Sequence, residues 1–470
     1  MAIVGLLCVI AFNTIRNTPT KAAYVETSVP QVDADIVAQK LSEAIQFRTV
    51  SHPVGTLGRP EAYQEFIDWL GGAFPNASGA MERTIVGGFT PLYLWEGSDS
   101  AQRPILINGH YDVVPIEGEW SRDPWAGEIS DGYVWGRGAL DMKGSVVSVL
   151  EAVDQLAASG FQPQRDIYIA LTQDEEIGGA GGAASVIAHF EENQIDIDWS
   201  LDEGSFVLRD IISSIDNDIA SINVAEKGYM TVQITATGTG GHSSLPHRDT
   251  AVSNLARAIV ELQDDPVPGG LTDVSESFFD TLDPHMGIGE RVLFANRWLF
   301  KPLLEKVLSG TNTTDAMLRT TKAPTMLVGS KTENVLPQAA SVFVNFRLHP
   351  RDDEQSVLSH ISDQIHQDHV EVEVLSARAA SSVSAHNNDA FEWLSLAARA
   401  VFGDVVVVPG LTIAGTDSAR YSQYAENSYR FLPFVFTSED IALLHGKDER
   451  ISIENLGRAV QYYTVLLRGL

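Results

Sequence analysis

Short apolar runs alternate with amphipathic stretches from residue 35 to about residue 225. Three of these runs, "PILING", "IYIALTQ" and "IDWSLDEG", are compact and end in polar residues, as buried strands do. A helical pattern at residues 35–47 precedes them, and further helical stretches lie between them. This alternation predicts βα units that build a largely parallel sheet. In sheets of that kind, ligands gather at the carboxyl ends of the strands.

The middle of the chain has a different pattern. "YMTVQITATG" alternates as a strand with one buried face, and "AVSNLARAIVELQ" is helical. Beyond a long insertion at about 265–322 come two strands, a helix and a last strand, in "TMLVGS", "ASVFVNFRLHP", "DEQSVLSHISDQI" and "VEVEVLS". The order β-α-β-β-α-β predicts a separate small α+β domain. The α/β pattern then resumes and closes with a helix that carries Leu456, Val460, Tyr463 and Leu467 on one face.

These patterns predict an α/β protein with one inserted domain. We expect residues 35–225 and 379–470 to form a catalytic domain, in which helices flank a mixed, mostly parallel sheet. Residues 226–378 are expected to form the inserted α+β domain, as a lid or a dimerisation domain. Residues 25–34 are polar and are typical of a linker.

The chain begins with an apolar run from Ala2 to Phe12. The run is short for a membrane span and typical of the core of a signal peptide. However, the basic segment that usually precedes such a core is missing, and "TKAAY" is a poor cleavage site. We expect residues 1–24 to be a signal peptide or an N-terminal membrane anchor. The protein would then be exported or membrane-anchored, in a periplasmic, extracellular or lumenal compartment.

Charge and cysteine content narrow the possible partners and cofactors. The 470 residues include 62 acidic and 32 basic side chains, a formal net charge of -30 at pH 7. Such a surface repels nucleic acid and anionic membranes, so we exclude DNA, RNA and lipid headgroups as partners. The only cysteine, Cys8, excludes an intrachain disulfide framework and a thiolate metal cluster. Any metal ion must therefore be held by His, Asp or Glu.

Three consecutive acids, Asp174, Glu175 and Glu176, end one of the apolar runs and precede a glycine cluster. Two carboxylates held about 4 Å apart repel each other by about 4 kcal/mol at an effective dielectric constant near 20. Such a cluster at the end of a buried strand therefore requires nearby positive charge.

Other polar residues also follow strand-like runs or lie in glycine-bounded turns. They are His110, Asp112, Asp141, Asp202, Glu203 and His445. A lone histidine in this setting is more often a hydrogen-bonded residue than a ligand, and a lone acid near a turn is usually a cap. Together, two histidines and several carboxylates form a donor set suited to zinc and related divalent ions. A pair of ions sharing one carboxylate would offset the repulsion among the acids.

Seven motifs in order carry a resemblance to a known family: "GHYDVVP", "GRGALDMKG", "DEEIGG", "LDEG", "GTGGHSSLP", "GTDSARY" and "HGKDERI". Through them, residues 35–470 resemble the M20 family of co-catalytic zinc metallopeptidases. The resemblance is closest to the carboxypeptidase S and Gly-X carboxypeptidase branch, which includes PM20D1-like N-acyl-amino-acid hydrolases and synthases. It implies two zinc ions per chain, for which Co²⁺ or Mn²⁺ would substitute, and a homodimer formed through the lid domain.

The resemblance also implies a role for each residue of the metal site. Asp141 would bridge the two ions, His110 and Asp202 would complete the ligands of one ion, and Glu176 and His445 would complete those of the other. Asp112 would accept the second ring N–H of His110, as carboxylates beside metal-binding histidines do. Glu175 would be the general base and acid. The peptide bond between Asp141 and Met142 would be cis.

Three further residues are implied in substrate binding and catalysis. His242 would reach the active site of the partner subunit and stabilise the oxyanion. Asn334 would bind the substrate from the lid, and Arg420 would pair with its free carboxylate. Each of the three has a structural role as its alternative. The sequence departs from the branch at two places: Met142 replaces a second Asp, and "GTDSARY" has an extra residue before Arg420. Both departures leave the metal ligands intact, but they make the identity of the substrate harder to infer.

Other functions fit the sequence less well. Gly179, Gly181 and Ala184 match a loose dinucleotide-binding pattern, but the acids before them would repel a pyrophosphate. A catalytically inactive metal-binding protein is disfavoured because every implied ligand and the base are present. The sequence therefore predicts a carboxypeptidase-type metallohydrolase acting on peptides or N-acyl amino acids, with a dipeptidase or an N-acyl-amino-acid hydrolase and synthase as alternatives.

Overall fold

The computed structural model describes residues 1–19, 28–52 and 56–470. The "TKAAY" segment, residues 20–24, lies outside these ranges. The helices, in chain order, are α1 (Ala2–Arg16), α2 (Ala34–Gln46), α3 (Pro60–Ala73), α4 (Pro75–Ala80), α5 (Lys143–Ala158), α6 (Ala183–Glu192), α7 (Ala251–Asp264), α8 (Asp273–Leu282), α9 (Ile288–Phe294), α10 (Arg297–Leu308), α11 (Asn312–Leu318), α12 (Glu354–Gln364), α13 (Asp389–Phe402), α14 (Ser418–Tyr421), α15 (Ser438–Ile441) and α16 (Ile453–Arg468).

The described residues also form twenty-one strands. They are β1 (Ser51–His52), β2 (Thr56–Leu57), β3 (Glu82–Val86), β4 (Thr90–Trp95), β5 (Ile105–His110), β6 (Glu128–Ser130), β7 (Tyr133–Trp135), β8 (Ile167–Thr172), β9 (Trp199–Asp202), β10 (Val207–Leu208), β11 (Ile219–Glu226), β12 (Gly228–Thr237), β13 (Gly241–His242), β14 (Thr321–Val328), β15 (Val335–Leu336), β16 (Ala339–Leu348), β17 (Val370–Arg378), β18 (Val406–Thr412), β19 (Asn427–Arg430), β20 (Val435–Phe436) and β21 (Arg450–Ser452).

A ten-stranded mixed sheet dominates the structure, in the order β20-β10-β11-β19-β9-β5-β8-β4-β3, with β18 also paired to β11. At its centre β5 runs parallel to both β8 and β9, and β9 runs parallel to β19. All residues of β5, β8 and β9 are buried, because helices cover both faces of a parallel sheet. Consequently the carboxyl ends of these three strands meet at one edge of the sheet.

Helices pack against both faces of this sheet. One hydrophobic core joins it to α2, α3, α5, α13 and α16, and a smaller core lies under α6. In α16, the stripe predicted from its spacing, with Leu456, Val460, Tyr463 and Leu467, is buried. The predicted α/β class, with strands at "PILING", "IYIALTQ" and "IDWSLDEG", is therefore confirmed.

The inserted domain is built on a four-stranded antiparallel sheet in the order β14-β16-β12-β17. Strands β12 and β16 alternate buried and half-buried residues along their length, because α7 and α12 cover only one face. Apart from the two-residue strands β13 and β15 and the helices of the long insertion, the elements follow the predicted order β-α-β-β-α-β. The four-stranded sheet is therefore a second layer of structure with its own core.

The long insertion within this domain is helical. Helices α8 to α11 share a third core with Ile219 of β11 and with Val406 and Val408 of β18, so they pack on the large sheet rather than on the small one. Helix α1 lies against α9. Within the described ranges, no helix is both long and apolar enough to cross a membrane.

Candidate dinuclear metal site

The strand ends bring the polar clusters of the sequence together. His110 is the last residue of β5, Glu175 and Glu176 form a 3₁₀ turn just after β8, and Glu203 follows β9. Two further residues approach from loops. Asp141 lies in the turn before α5, and His445 follows α15 with a φ of 56°. The parallel pairing of β5 with β8 and β9 therefore determines where these side chains meet.

Asp141 lies between the two histidines. Its Oδ1 is 2.9 Å from Nε2 of His110, and its Oδ2 is 3.0 Å from Nε2 of His445. Hydrogen bonds from His110 and His445 outweigh burial and hold the pKa of Asp141 below its usual range. The peptide bond between Asp141 and Met142 is cis, as the resemblance implied. One carboxylate thus offers one oxygen to each side of the site.

Two sets of donor atoms share Asp141. One set is His110, Asp141 and Glu203, with 3.2 Å between His110 Nε2 and Glu203 Oε1. The other is Asp141, Glu176 and His445, with 3.2 Å between His445 Nε2 and Glu176 Oε2. Within each set all donor atoms lie within 4.8 Å of one another. Each set contains one nitrogen and two carboxylate donors, which is a set of ligands typical of zinc.

Asp202, the ligand that the resemblance implies, is in neither set of donor atoms, whereas the adjacent Glu203 is in one of them. Oδ1 of Asp202 accepts a hydrogen bond of 3.0 Å from Asn108, and the carboxylate is buried at the end of β9. Oδ2 of Asp202 is also buried and, among the described residues, has no hydrogen-bond partner, so both acids remain candidate ligands. "LDEG" offers both, and nothing in the motif distinguishes them without the register of β9.

The pKa values and hydrogen bonding of the glutamates, beside the distances between donor atoms, also fit a pair of cations. Burial, reinforced by the charge on Asp141, raises the pKa of Glu203 to about 8 and that of Glu176 to about 7. Oε1 of Glu176 is buried and, among the described residues, has no hydrogen-bond partner. Buried carboxylates are costly unless they are paired with protons, cations or hydrogen-bond donors. Two divalent cations would stabilise the ionised form of the whole cluster.

Glu175 lies beside these donors and belongs to neither set. Its Oε2 is 4.0 Å from Nε2 of His110. Burial raises its pKa well above the usual range; the charge on His110 partly offsets this, and that on Glu203 adds to it. Its backbone N–H donates to Oδ1 of Asp112 at 3.2 Å, while the N–H of Glu176 donates to Oδ2 at 3.3 Å. Asp112 therefore fixes the turn that carries both glutamates.

The contact of Asp112 with His110 differs in detail from the expectation. Nδ1 of His110 lies 3.0 Å from the backbone carbonyl of Asp112 and 3.4 Å from its carboxylate Oδ1. Oδ2 of Asp112 accepts a hydrogen bond of 2.7 Å from Ser51. Residue 112 thus lies beside Nδ1 of His110, and its carbonyl oxygen is nearer the ring than its carboxylate is.

A buried ion pair, Arg137 with Glu449, connects two loops of the site. Nη1 of Arg137 donates to Oε2 of Glu449 at 2.6 Å, and Nη2 donates to the carbonyl of His445 at 3.1 Å. Oε1 of Glu449 accepts from the N–H groups of Leu140 and Asp141. The pair therefore ties the loop of His445 to the turn of Asp141. Both residues lie inside motifs, but their pairing across the chain could not be read from either one.

Asp174, the first of the three consecutive acids, is structural. Its two carboxylate oxygens accept hydrogen bonds from the N–H groups of Gly181 and Gly182, at 2.6 and 2.8 Å. Nearby, a Cβ on Gly179, whose φ is +63°, would lie 2.1 Å from Oδ1 of Asp417. The glycine cluster after the acids is thus explained by close packing, not by a dinucleotide.

The donors open into a cavity of about 800 Å³. Arg420 lines it and donates from Nε and Nη2 to the carbonyl of Gly178, at 3.1 and 2.6 Å. The inserted domain contributes Tyr229, Arg347 and Arg378, which belong to none of the seven motifs. They lie on β12, β16 and β17, where the alternation predicts strands but not which domain the half-buried side chains face.

His242 and Asn334 do not line this cavity. His242 belongs to β13, which pairs with β15, and its exposed ring contacts Ser244 through Nδ1. The carbonyl of Asn334 accepts a hydrogen bond of 3.1 Å from the N–H of Ser243. The two residues are thus neighbours on the surface of the inserted domain, away from the metal donors of their own chain.

Fold and site together define a metal-dependent hydrolase built on an α/β domain with an α+β insertion. A profile of peptidase family M20/M25/M40 matches residues 106–469. The chain belongs to this family, as a metallopeptidase or amidohydrolase of the carboxypeptidase S-like and PM20D1-like branch. The family implies a divalent metal cofactor. The membership of this chain in the M20 family, predicted from the seven motifs, is therefore confirmed.

Individual relatives agree with this assignment. The chain is 35% identical to the "Probable carboxypeptidase S-like 2" of Dictyostelium discoideum, over 99% of this chain and 92% of the relative. It is 32% identical to the "N-fatty-acyl-amino acid synthase/hydrolase PM20D1" of Xenopus tropicalis, over 99% of this chain and 94% of the relative. Among solved structures, the M20 family metallo-carboxypeptidase Sso-CP2 from Sulfolobus solfataricus superposes with a TM-score of 0.65 at 19% identity, over 92% of this chain and 98% of that one.

Proposed function

We propose that the protein is a dizinc hydrolase that cleaves the amide bond of a peptide or an N-acyl amino acid with a free carboxylate. The position of Asp141 carries the proposal, because its two oxygens face His110 and His445 at 2.9 and 3.0 Å. Glu203 and Glu176 complete one donor set on each side. Three protein ligands per ion are typical of catalytic zinc sites, which keep a position open for water or substrate. Co²⁺ or Mn²⁺ would bind the same donors.

The residues around the donors suit amide hydrolysis. When bound, the zinc ions would lower the pKa of a water molecule and polarise the scissile carbonyl. Glu175, buried and outside both donor sets, would take the proton of the attacking water and deliver it to the departing nitrogen. Asp112 would keep Glu175 in place through the backbone of the turn.

Arg420 would bind the free carboxylate of the substrate. Its guanidinium lies in the cavity wall and has an uncharged partner, the carbonyl of Gly178, so its positive charge stays available. A guanidinium pairs with a carboxylate through two parallel hydrogen bonds. Carboxypeptidase substrates and N-acyl amino acids share this carboxylate, and relatives with both kinds of name match the chain. The same site would serve a dipeptidase or the reverse, synthetic reaction.

His242 and Asn334 would act between subunits. Both are exposed and lie outside the cavity of their own chain, which fits a role in a homodimer formed through the inserted domain. In that arrangement, His242 of one subunit would stabilise the oxyanion in the site of the other, and Asn334 would bind the substrate from the lid. Export, or attachment to a membrane through the N-terminal segment, belongs to the same proposal.

Metal-dependent hydrolysis of a small panel tests the proposed function. The panel contains Cbz-Gly-Leu, a free dipeptide and an N-oleoyl amino acid, each with its C-terminal amide as a matched control that lacks the carboxylate. We expect cleavage of one member, loss of cleavage with a chelator, recovery with zinc, and weak cleavage of the amide controls. If the zinc-loaded protein binds metal but cleaves none of them, a catalytically inactive metal-binding protein becomes the better account.

A further inference from the structure

Glu226 is a buried acid at the junction of the two domains, and it belongs to none of the seven motifs. It is the last residue of β11, and the first strand of the inserted domain, β12, begins two residues later. The chain leaves the inserted domain after Arg378, the last residue of β17. The backbone N–H of Glu226 donates to Oγ of Ser381 at 2.8 Å, and the N–H of Ser381 donates to the carbonyl of Glu226 at 3.0 Å. The two connections between the domains are therefore joined at Glu226.

The carboxylate of Glu226 accepts hydrogen bonds from three different parts of the protein. Oε1 accepts from Nη2 of Arg378 at 3.0 Å and from the backbone N–H of Thr416 at 3.1 Å. Oε2 accepts from Oγ1 of Thr416 at 2.6 Å and from Nε of Arg430 at 3.3 Å. Arg378 lies in the inserted domain, Arg430 on β19 of the large sheet, and Thr416 in the loop after β18. Because each carboxylate oxygen accepts from two donors, this position requires two acceptor oxygens.

Arg378 presents a second donor to the substrate cavity. Its Nη2 donates to Glu226, and the residue lines the cavity. Its Nη1 is buried and, among the described residues, has no hydrogen-bond partner. Leaving a buried donor without an acceptor costs free energy, which a bound oxygen atom of a ligand would offset. The hydrogen bond to Glu226 therefore orients the guanidinium group so that Nη1 is available to a ligand.

Thr416 begins the turn that leads to Arg420. The carbonyl of Thr416 accepts from the N–H of Ala419 at 3.2 Å, and the carbonyl of Asp417 accepts from the N–H of Arg420 at 2.9 Å. These bonds form the first turn of α14, so the position of Thr416 determines that of Arg420. Both Thr416 and Arg420 line the cavity. Glu226 thus holds the start of the segment that carries Arg420, in addition to Arg378.

We propose that Glu226 is a positioning residue for substrate binding, which fixes Arg378 and Arg420 relative to each other on the wall that receives the carboxylate of the substrate. Glu226 is not one of the described residues that line the cavity, so it acts through its hydrogen bonds to Arg378 and Thr416. The inference rests on the proposed function, because it assumes a substrate with a free carboxylate.

The charges at this wall favour a carboxylate as the bound group. Glu226 is shared by Arg378 and Arg430, so one negative charge faces two guanidinium groups. Arg420 donates to the uncharged carbonyl of Gly178. Arg378 and Arg420 are therefore not fully neutralised by these partners. Charge-assisted hydrogen bonds from guanidinium groups to carboxylates are among the strong ones in proteins.

Kinetics of Glu226→Gln on a carboxylate substrate and on its C-terminal amide test the inference. A glutamine offers one acceptor oxygen instead of two, so one pair of donors around residue 226 loses its acceptor. We expect KM for the carboxylate substrate to rise at least about tenfold, the effect of losing one hydrogen bond to a charged group. We expect kcat to stay within about threefold, because the carboxylate is bound equally in the ground state and the transition state. The kinetics of the amide should not change.

A second variant and a matched control keep the test independent of folding. Thr416→Val removes the Oγ1 donor but keeps the backbone hydrogen bond to Glu226, so KM for the carboxylate substrate should rise by a smaller factor. The control Glu392→Gln removes the charge of a glutamate that pairs with Arg399 on α13, and it should leave KM and kcat unchanged. Effects of Thr416→Val that are equal for the carboxylate and the amide would show a general loss of structure and would overturn the inference.

Binding without turnover distinguishes this inference from the proposed function. In the zinc-loaded Glu175→Gln chain, calorimetric titration should show that N-acetyl-leucine binds more tightly than N-acetyl-leucinamide. Adding Glu226→Gln should reduce this preference at least about tenfold. If it does so while the unaltered chain cleaves no substrate of the panel, the proposed function is wrong and the role of Glu226 stands. No preference for the carboxylate when Glu226 is present, or a preference that Glu226→Gln leaves intact, would overturn the inference.

Discussion

Glu175 and Glu176 are adjacent, but their different surroundings predict different roles. Glu176 contacts His445 within a donor set, whereas Glu175 stands outside both sets. We expect Glu175→Gln to keep its full metal content and to lower kcat by about 10²- to 10⁴-fold, the usual contribution of a general base. Steady-state kinetics with metal analysis checks this, with Glu192→Gln on the exposed side of α6 as the control. Turnover close to that of the unaltered enzyme would remove Glu175 from the mechanism.

The neighbouring acids Asp202 and Glu203 provide a paired prediction at the same scale. Glu203 lies 3.2 Å from His110, whereas Asp202 is hydrogen-bonded to Asn108. We therefore expect Glu203→Gln to lose about one of two bound ions and Asp202→Asn to retain both, as measured by metal analysis after dialysis. The reverse pattern would restore Asp202 as the ligand.

This pair marks a limit of what sequence can predict. The motifs contain every residue of the two donor sets, and Asp141 lies with His110 in one set and with Glu176 and His445 in the other. The choice within "LDEG" depends on which side of β9 faces the cavity, and that is set by pairing with β5 and β19. Arg347 and Arg378 were missed for a similar reason, since they reach the cavity from another domain.

At the scale of elements, the Arg137–Glu449 pair joins the turn before α5 to the loop before β21. Both side chains are buried. Removing one member leaves the other as an unpaired buried charge, so Arg137→Met should lower the free energy of unfolding by about 3–5 kcal/mol. Arg458→Met breaks the exposed pair with Glu454 on α16 and should cost less than about 1 kcal/mol. Urea titration compares the two, and equal losses would contradict the structural role of the buried pair.

Lys227 makes the connection between β11 and β12 sensitive to pH. Its buried Nζ donates to the carbonyls of Ala316 and Arg319 at the end of α11. Burial, and next the charge of Arg347, lowers its pKa from 10.5 to about 7. Between these values the unfolded state binds the proton and the folded state does not, so Lys227 makes stability rise with pH.

The slope due to this residue is at most about 1.4 kcal/mol per pH unit. We expect the free energy of unfolding of Lys227→Met to rise less steeply than that of the unaltered protein between pH 7.5 and pH 9.5. Urea titrations at several pH values give the difference between the two, which isolates Lys227 from other titrating groups. Parallel curves would show that Lys227 keeps an ordinary pKa.

At the scale of the whole molecule, the proposed role of His242 in the site of the partner subunit requires a dimer. If His242 acts in the partner's site, a dimer of one Glu175→Gln chain and one His242→Ala chain contains one intact site. Mixing the two inactive variants under conditions of subunit exchange should therefore restore up to about a quarter of the activity, since about half of the dimers are mixed and each has one of two sites. Activity that stays at the sum of the two variants would place His242 outside catalysis in the partner.

The strands of the two sheets were easier to predict than the packing of the helical insertion. The strands β12 and β16 follow from an alternation of apolar and polar residues, and β5, β8 and β9 follow from short apolar runs. Both are local patterns that can be read directly from the sequence. The helical insertion, by contrast, packs on β11 and β18 of the large sheet although it interrupts the small domain. That placement depends on contacts between residues far apart in the sequence, and the spacing of apolar residues does not reveal such contacts.

The metal content of the purified protein tests the central claim most directly. Elemental analysis of the unaltered chain, loaded with zinc and dialysed, should give about two ions per chain. Asp141→Ala, which removes one ligand from both donor sets, should bind neither ion tightly. A single ion in the unaltered chain, or two ions retained by Asp141→Ala, would contradict a pair of ions bridged by Asp141.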